Sequence, residues 1–216
     1  MKLEQDEIKG IKFCHRKGFS DLKTFEEVIG RRTYLKRGMR ILPGERWMDC
    51  GGNVGAFALL ACSLGAEVVT YEPDPYSCEM IEKNLKLNGF RATVKQRALV
   101  PDDRDEVTLF IGNNNNVWRN SIVKKWNKMG IKVPCARFDD ESKGFHGCKM
   151  DIEGSEMPIL EATEALLEKL VYEWSFDIDP SLTRLWKVID RQKKDYRIEA
   201  AWSLSLIHIS EPTRPY

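Results

Sequence analysis

The sequence predicts an α/β fold with a doubly wound, mostly parallel sheet and helices on both of its faces. Two observations predict this fold. Apolar strand segments alternate with helical segments from residue 46 to residue 202. The first strand also runs into a turn that contains three glycines, and a second strand ends at Glu72, about 20 residues later, as in the nucleotide-binding half of such folds.

Capping residues mark the predicted helices. Gly65 is free to adopt the left-handed conformation that ends a helix, and Asp74 followed by Pro75 is a typical helix start. In chain order the predicted elements are strand 46–50, helix 55–64, strand 67–71, helix 74–89, strand 93–99, extended segments 107–111 and 132–138, strand 147–152, a helix from 155 with an apolar repeat to 170, strand 170–176, helix 181–191 and strand 196–202.

Residues 1–44 precede this alternation and are charged and mixed in composition. They contain one predicted helix, around 22–28, and a turn at Pro43-Gly44 before the first strand. We expect this segment to cover the ligand or to shape the site of a second substrate. The α/β domain is then expected at 45–203.

The glycine turn reads DCGGNVG at 49–55. Asn53 stands where a dinucleotide fold has the glycine that makes room for a pyrophosphate. The turn instead suits a small zwitterionic group, with a carboxylate near the helix N-terminus and an ammonium near Asp49. S-adenosylmethionine has that shape. A flavodoxin-like turn without a nucleotide is the alternative.

Three further motifs follow in order: YEPDP at 71–75, NLKLNG at 84–89 and KMDIEGSEMPIL at 149–160. Together with DCGGNVG they resemble the FkbM family of class I methyltransferases, which use S-adenosylmethionine. The resemblance runs from about 47 to about 202. It implies a Rossmann-like methyltransferase domain, and it implies a hydroxyl of a sugar, a glycan or another small molecule as the methyl acceptor.

The predicted cofactor-binding residues follow the first strands of the sheet. We expect the methionine end to lie against Asp49, Gly51, Asn53 and Gly55, the ribose against Glu72, and the adenine against Asp74 and the backbone of Ala98.

The candidates for removing a proton from the acceptor are Asp151, Glu153 and Glu173. Asp151 and Glu153 follow a strand at the edge where ligands of open α/β sheets bind, and alternation is expected to put both on one side. Glu173 could reach the same crevice from the next strand, or make a structural hydrogen bond. Glu156 is expected to complement the N-terminal dipole of the following helix.

An N-P-P-Y-type motif, typical of enzymes that methylate exocyclic amines, is absent where Asp151-Ile152-Glu153-Gly154 stands, which favours oxygen as the acceptor. Two alternatives remain. One is a nitrogen methyltransferase for nucleic acid or protein, using basic and aromatic residues: Trp118, Arg119, Lys124, Lys125 and Trp126. The other is a fragment that binds the cofactor without catalysis.

Composition limits the partners and the compartment. The chain has 216 residues, with 34 Lys plus Arg and 33 Asp plus Glu, and its net charge of +1 gives no general attraction to nucleic acid. No apolar run approaches the roughly 20 residues of a membrane span. Six cysteines without a C-x-x-C pair and three isolated histidines predict no metal site and a reducing compartment. We expect a soluble, cytoplasmic protein.

The last residues, 204–216, have a different character. The segment LSLIHISEPTR at 204–214 resembles the in-frame translation of a sequencing-library adapter, so we expect 204–216 to be a non-native tail. A natural polar tail is the alternative. Class I methyltransferases end with an antiparallel strand inserted into the sheet, and we expect that strand to be missing here, which would leave unpaired backbone or a gap in the sheet.

Overall fold

A computed structural model of the chain describes residues 2–112, 120–125, 130–175, 177–200 and 206–212, with the backbone alone for 197–200 and 206–212. The described helices are α1 (Asp21–Phe25), α2 (Ala56–Ser63), α3 (Pro75–Leu87), α4 (Phe138–Glu141), α5 (Glu156–Ala162) and α6 (Leu182–Gln192). The described strands are β1 (Leu3–Ile8), β2 (Ile11–Arg16), β3 (Arg46–Cys50), β4 (Glu67–Tyr71), β5 (Thr93–Lys95), β6 (Ala98–Val100), β7 (Glu106–Phe110), β8 (Gly130–Arg137), β9 (Gly147–Met150), β10 (Lys169–Glu173), β11 (Tyr196–Ala200) and β12 (Leu206–Pro212).

The main sheet has the order β11-β12-β10-β9-β3-β4-β5 in the described part of the chain. The strands from β10 to β5 run parallel to one another. Adjacent residues of β3 face opposite apolar cores: Trp47 packs with Phe57 of α2 on one face, and Met48 packs with Ile159 of α5 on the other. This arrangement confirms the predicted doubly wound α/β fold.

The expectation of a missing C-terminal strand is wrong. β12 lies between β10 and β11 and pairs antiparallel with both. The segment alternates apolar and polar residues, with isoleucines at 207 and 209, a pattern that favours an extended conformation. Pairing on both sides satisfies backbone groups that the neighbouring strands would otherwise leave unpaired, so the sheet has no gap at this place.

Two other predicted elements differ in the structure, one because it is divided and the other because it is shorter. The strand expected at 93–99 is interrupted by a tight turn, in which the amide of Arg97 donates to the carbonyl oxygen of Lys95 at 2.8 Å. As a result β5 joins the main sheet and β6 joins β8 and β7 in a separate sheet. The helix from 155 ends at Ala162, because Thr163 has extended backbone angles. The apolar repeat continues through a loop into β10.

The N-terminal segment contains a β-hairpin that the sequence pattern did not indicate. β1 and β2 pair antiparallel through a two-residue turn in which Lys9 and Gly10 both have positive φ. Such turns favour Asn-Gly or Asp-Gly, and β1 lacks clear alternation of apolar residues. A helix predicted around 22–28 is present as α1, which continues as a π-helical turn over Glu26–Gly30.

Two asparagines of the NLKLNG motif attach this hairpin to the α/β domain. Asn84 lies on α3, and Asn88, one turn later, is the residue that caps its C-terminus. The side chain of Asn88 accepts from the amide of Lys12 at 2.8 Å and donates to its carbonyl oxygen at 2.7 Å. Asn84 does the same with Cys14, at 2.6 and 3.2 Å. The edge of β2 is thereby satisfied by side chains instead of by another strand.

Candidate functional site

The glycine turn after β3 is packed tightly against the tips of the neighbouring strands. Gly51 has a φ of +83°, and a Cβ atom on it would lie 1.8 Å from the carbonyl oxygen of Asp151. The amides of Gly51 and Gly52 both donate to the carbonyl oxygen of Tyr71, at 2.9 and 3.2 Å. The missing side chain at 51 therefore lets the ends of β3, β4 and β9 meet.

Glu72 follows β4 and is held by two backbone amides. One carboxylate oxygen accepts from the amide of Asn53 at 2.7 Å, and the other accepts from the amide of Asp74 at 2.9 Å. Burial raises the pKa of Glu72 to about 7. A carboxylate has about four acceptor positions, so two remain for a ligand such as a ribose diol.

A buried ion pair lies beneath the glycine turn. The Nζ atom of Lys149 is 3.2 Å from Oδ1 of Asp49 and donates to the carbonyl oxygen of Gly51 at 2.7 Å. Asp49 also accepts from the hydroxyl of Thr70 at 3.2 Å. Burial raises the pKa of Asp49, and the ammonium of Lys149 opposes that shift. Asp49 therefore stabilises the glycine turn indirectly, because it pairs with Lys149, which donates to the carbonyl oxygen of Gly51.

The carboxylates after β9 and at the end of β10 form an acidic group. β9 ends at Met150, and Glu153 has a φ of +52° in the loop after it. The expected strand alternation of Asp151 and Glu153 is therefore wrong, although both line the same cavity. Burial, followed by the charges of Asp151, Glu156 and Glu173, raises the pKa of Glu153 to about 9. The carboxyl of Glu153 therefore binds a proton more readily than a freely hydrated glutamate does.

Glu156 shapes the loop that carries Glu153. Its two carboxylate oxygens accept from the amides of Ile152 and Gly154, at 2.7 and 2.8 Å. Burial raises its pKa to about 7. Glu156 therefore has a structural role, made through loop amides and not only through the helix dipole.

A cavity of about 750 Å³ connects these groups, within the usual range for small-molecule sites. The predicted site residues that line it are Gly51, Asn53, Glu72, Ala98, Asp151, Glu153 and Glu173. One wall comes from the N-terminal segment, including Thr24, Val28, Arg31, Thr33 and Tyr34.

Three predicted cofactor-binding residues are not part of the cavity wall. Asp49 is fully buried against Lys149. Gly55 packs against Ile81, where a Cβ atom would lie 3.3 Å from a backbone atom. Asp74 caps α3 by accepting from the amide of Ser77 at 3.2 Å. Each of these three residues therefore stabilises the structure next to the cavity without lining it.

The sequence pattern did not indicate Tyr34 or Lys149 as site residues. Tyr34 lies in a 3₁₀ turn, Thr33–Leu35, within a segment that lacks a periodic pattern. Its hydroxyl donates to Oδ2 of Asp151 at 2.7 Å. Lys149 precedes Asp151 by two residues in the KMDIEG motif, and that spacing was the available signal.

The described residues contain no group of three or more His, Cys, Asp or Glu side chains arranged to hold a metal ion. Among the helices of the described part, none is long and apolar enough to cross a membrane.

The family model described as the methyltransferase FkbM domain matches residues 49–198, more than half of the chain. The chain belongs to the FkbM methyltransferase family. The match contains the glycine turn, Glu72, and the three candidate catalytic carboxylates. It confirms the resemblance indicated by the four motifs. No curated protein matches the chain significantly.

Solved methyltransferases share the fold at low identity. An S-adenosylmethionine-dependent methyltransferase from Agrobacterium tumefaciens is 11% identical with a TM-score of 0.53, and the alignment covers 99% of this FkbM-family chain and 71% of that chain. A putative rRNA methylase from Clostridium thermocellum is 10% identical with a TM-score of 0.51, covering 93% and 100%.

A tRNA (uracil-54, C5)-methyltransferase from Pyrococcus abyssi, in complex with S-adenosyl-L-homocysteine, is 13% identical with a TM-score of 0.50. That alignment covers 99% of this chain and 45% of the archaeal chain, so the FkbM-family chain spans less than half of its length. These likenesses show a Rossmann-like methyltransferase fold.

Proposed function

We propose that this chain uses S-adenosylmethionine to methylate a hydroxyl oxygen of a sugar, a glycan or another small molecule. The observation that carries the proposal is that one cavity is lined both by Glu72, beside the glycine turn, and by the carboxylates Asp151, Glu153 and Glu173. The nucleoside end of the cofactor and the group that accepts the proton would then lie in the same cavity.

The residues present fit that cofactor. Glu72 keeps two acceptor positions beside the glycine turn after its bonds to the amides of Asn53 and Asp74. Burial, followed by the neighbouring carboxylates, raises the pKa of Glu153, and a cation bound beside these carboxylates would favour their charged forms. S-adenosylmethionine combines a ribose diol with a sulfonium and an ammonium.

When bound, the cofactor supplies a methyl group that passes to the acceptor oxygen, while the electron pair of the broken C–S bond stays on sulfur. The protein aligns the acceptor, and alignment can supply about 7–11 kcal/mol of a barrier. It also takes the hydroxyl proton, which contributes a factor of about 10² to 10⁴. We propose Asp151 as the proton acceptor, because it lines the cavity and its carboxylate is held in place by the hydroxyl of Tyr34. Glu173 is the other candidate.

Methylation of nitrogen in nucleic acid or protein is the competing function. Of the residues expected to bind nucleic acid, Trp118, Arg119 and Trp126 lie outside the described residues. Lys124 donates to the carbonyl oxygen of Asp177 at 2.6 Å, so one basic residue of that set already has a partner. The cavity wall carries five carboxyl groups and three basic side chains, Lys23, Arg31 and Arg97, so it is not the predominantly basic surface that a polyanion favours. We also propose a cytoplasmic location, which the six free cysteines support.

The test uses the full chain, methyl-labelled S-adenosylmethionine, and a panel of methyl hexosides, uronosides, sugar phosphates, tRNA and peptides. We expect label on a hydroxyl-bearing acceptor, and we expect Asp151→Asn to abolish transfer while calorimetry still detects cofactor binding. Label in tRNA or peptide would contradict the proposal. Cofactor binding without transfer to any acceptor would support the alternative of a non-catalytic fragment.

A further inference from the structure

Tyr34 joins the N-terminal segment to the candidate catalytic group across 117 positions of sequence. Its hydroxyl donates to Oδ2 of Asp151 at 2.7 Å, and its side chain is buried, with 6% of the residue exposed. Burial, followed by the charges of Asp151 and Glu173, raises the pKa of Tyr34 well above its ordinary value. The phenol therefore stays neutral and remains a hydrogen-bond donor at any pH at which the enzyme works.

The ring of Tyr34 has a second contact. The ammonium of Lys149 lies 5.5 Å from the ring centroid, within the range of a cation–π interaction. Lys149 is fixed in turn by Asp49 and by the carbonyl oxygen of Gly51. The hydroxyl of Tyr34 thus contacts Asp151 and its ring contacts Lys149. A substitution that removes only the hydroxyl can therefore distinguish the effects of the two contacts.

We propose that Tyr34 is a positioning residue that holds one oxygen of Asp151 and leaves the other to accept the proton of the acceptor hydroxyl. This inference rests on the proposed function. A carboxylate with one oxygen fixed by a buried donor has a defined orientation and loses little freedom on binding substrate.

Charged groups surround the Tyr34–Asp151 pair on several elements. They are Asp49 of β3, Lys149 of β9, Glu153 and Glu156 around the following loop, and Glu173 of β10.

The test compares Tyr34→Phe with the wild-type chain, because phenylalanine keeps the ring over Lys149 and removes the hydroxyl. We expect kcat to fall about 10- to 100-fold, the size of a lost hydrogen bond to a charged group. The KM for the methyl acceptor should stay close to that of wild type, so that the loss falls on kcat. Affinity for S-adenosylmethionine, measured by calorimetry, should remain within about twofold of wild type.

Tyr172→Phe is the matched control. Tyr172 is a buried tyrosine whose hydroxyl lies 3.4 Å from the side-chain oxygen of Gln192, away from the cavity. Loss of the Tyr172 hydroxyl should leave kcat unchanged.

Three outcomes overturn the role of Tyr34. The first is a Tyr34→Phe enzyme with the kcat of wild type. The second is a variant that loses cofactor affinity and activity in parallel, which would indicate a general structural role. In both of these cases the wild-type chain still methylates its acceptor, so the proposed function stands. The third is a wild-type chain that transfers no methyl group, which overturns the proposed function and this inference together.

Discussion

The carbonyl oxygen of Asp151 lies 1.8 Å from the place where a Cβ atom on Gly51 would be. The glycine turn that precedes α2 and the loop that presents the candidate catalytic carboxylates are therefore in direct backbone contact. Gly51 also has a positive φ, at which a side chain is strained. The proposed cofactor side and the proposed acceptor side of the cavity consequently share one close backbone contact.

Gly51→Ala is expected to destabilise the protein by more than the strain of its φ alone. That strain costs about 1–2 kcal/mol, and forcing a methyl group into a packed site typically adds about 1–3 kcal/mol. Gly10→Ala is the control, since Gly10 has a φ of +81° with nothing within 4 Å of an added Cβ atom. Urea unfolding of both variants measures the difference, and equal losses of stability would contradict the close contact.

Asp49→Asn is expected to lower stability because it removes the carboxylate that pairs with the buried ammonium of Lys149. Breaking a buried ion pair in this way costs about 3–5 kcal/mol. Asp190→Asn is the control, since Asp190 pairs with Lys193 at 3.0 Å on the surface and should change stability by less than about 1 kcal/mol. Thermal unfolding separates the two. A Tm for Asp49→Asn equal to that of wild type would show that the Gly51 carbonyl oxygen suffices for Lys149.

Glu72→Gln is expected to weaken S-adenosylmethionine binding by about 1–3 kcal/mol. Both carboxylate oxygens accept from backbone amides. The NH₂ group of a glutamine side chain cannot accept a hydrogen bond, so one of these two backbone amides would lose its acceptor. Glu67→Gln, at the exposed start of the same strand, is the control. Calorimetry measures both affinities, and a Glu72→Gln variant that binds like wild type would remove Glu72 from the site.

The sequence patterns located the central strands and helices well, for physical reasons visible in the structure. β3 and β4 have the predicted bounds, because buried parallel strands are short apolar runs between turn residues. The helix starting at Asp74 and Pro75 was equally recognisable, since its cap is local. Local signals failed where a long-range partner decides the structure, as in β12 and in the hairpin held by Asn84 and Asn88.

The site was predicted in part for the same reason. Glu72, Asp151 and Glu153 end up on one cavity because the ends of parallel strands meet at one edge of the sheet. The motif could not reveal that Asp49 is covered by Lys149, since burial of an ion pair depends on the packing around both groups. Tyr34 was missed because its partner lies in a distant part of the chain.

The buried acid Glu153 should make the ligand-free protein less stable as the pH rises. Burial and neighbouring carboxylates raise its pKa to about 9 in the folded state, whereas an unfolded glutamate has a pKa of about 4.3. Between these values the folded protein binds more protons than the unfolded chain, so the free energy of unfolding falls with increasing pH. Glu72 and Glu156, with pKa values raised to about 7, contribute in the same direction at lower pH.

Glu153→Gln removes this titration while keeping the shape of the side chain. At pH 9 the variant should be more stable than wild type by at least about 1 kcal/mol, or about 2–4 °C in Tm, and the difference should shrink toward pH 5. Thermal scans across this range measure the effect, with exposed Glu79→Gln as the control. The two curves would run parallel at all pH values if the Glu153 carboxyl were freely hydrated. S-adenosylmethionine should reverse part of the loss at high pH in wild type, because a bound cation favours the charged carboxylate.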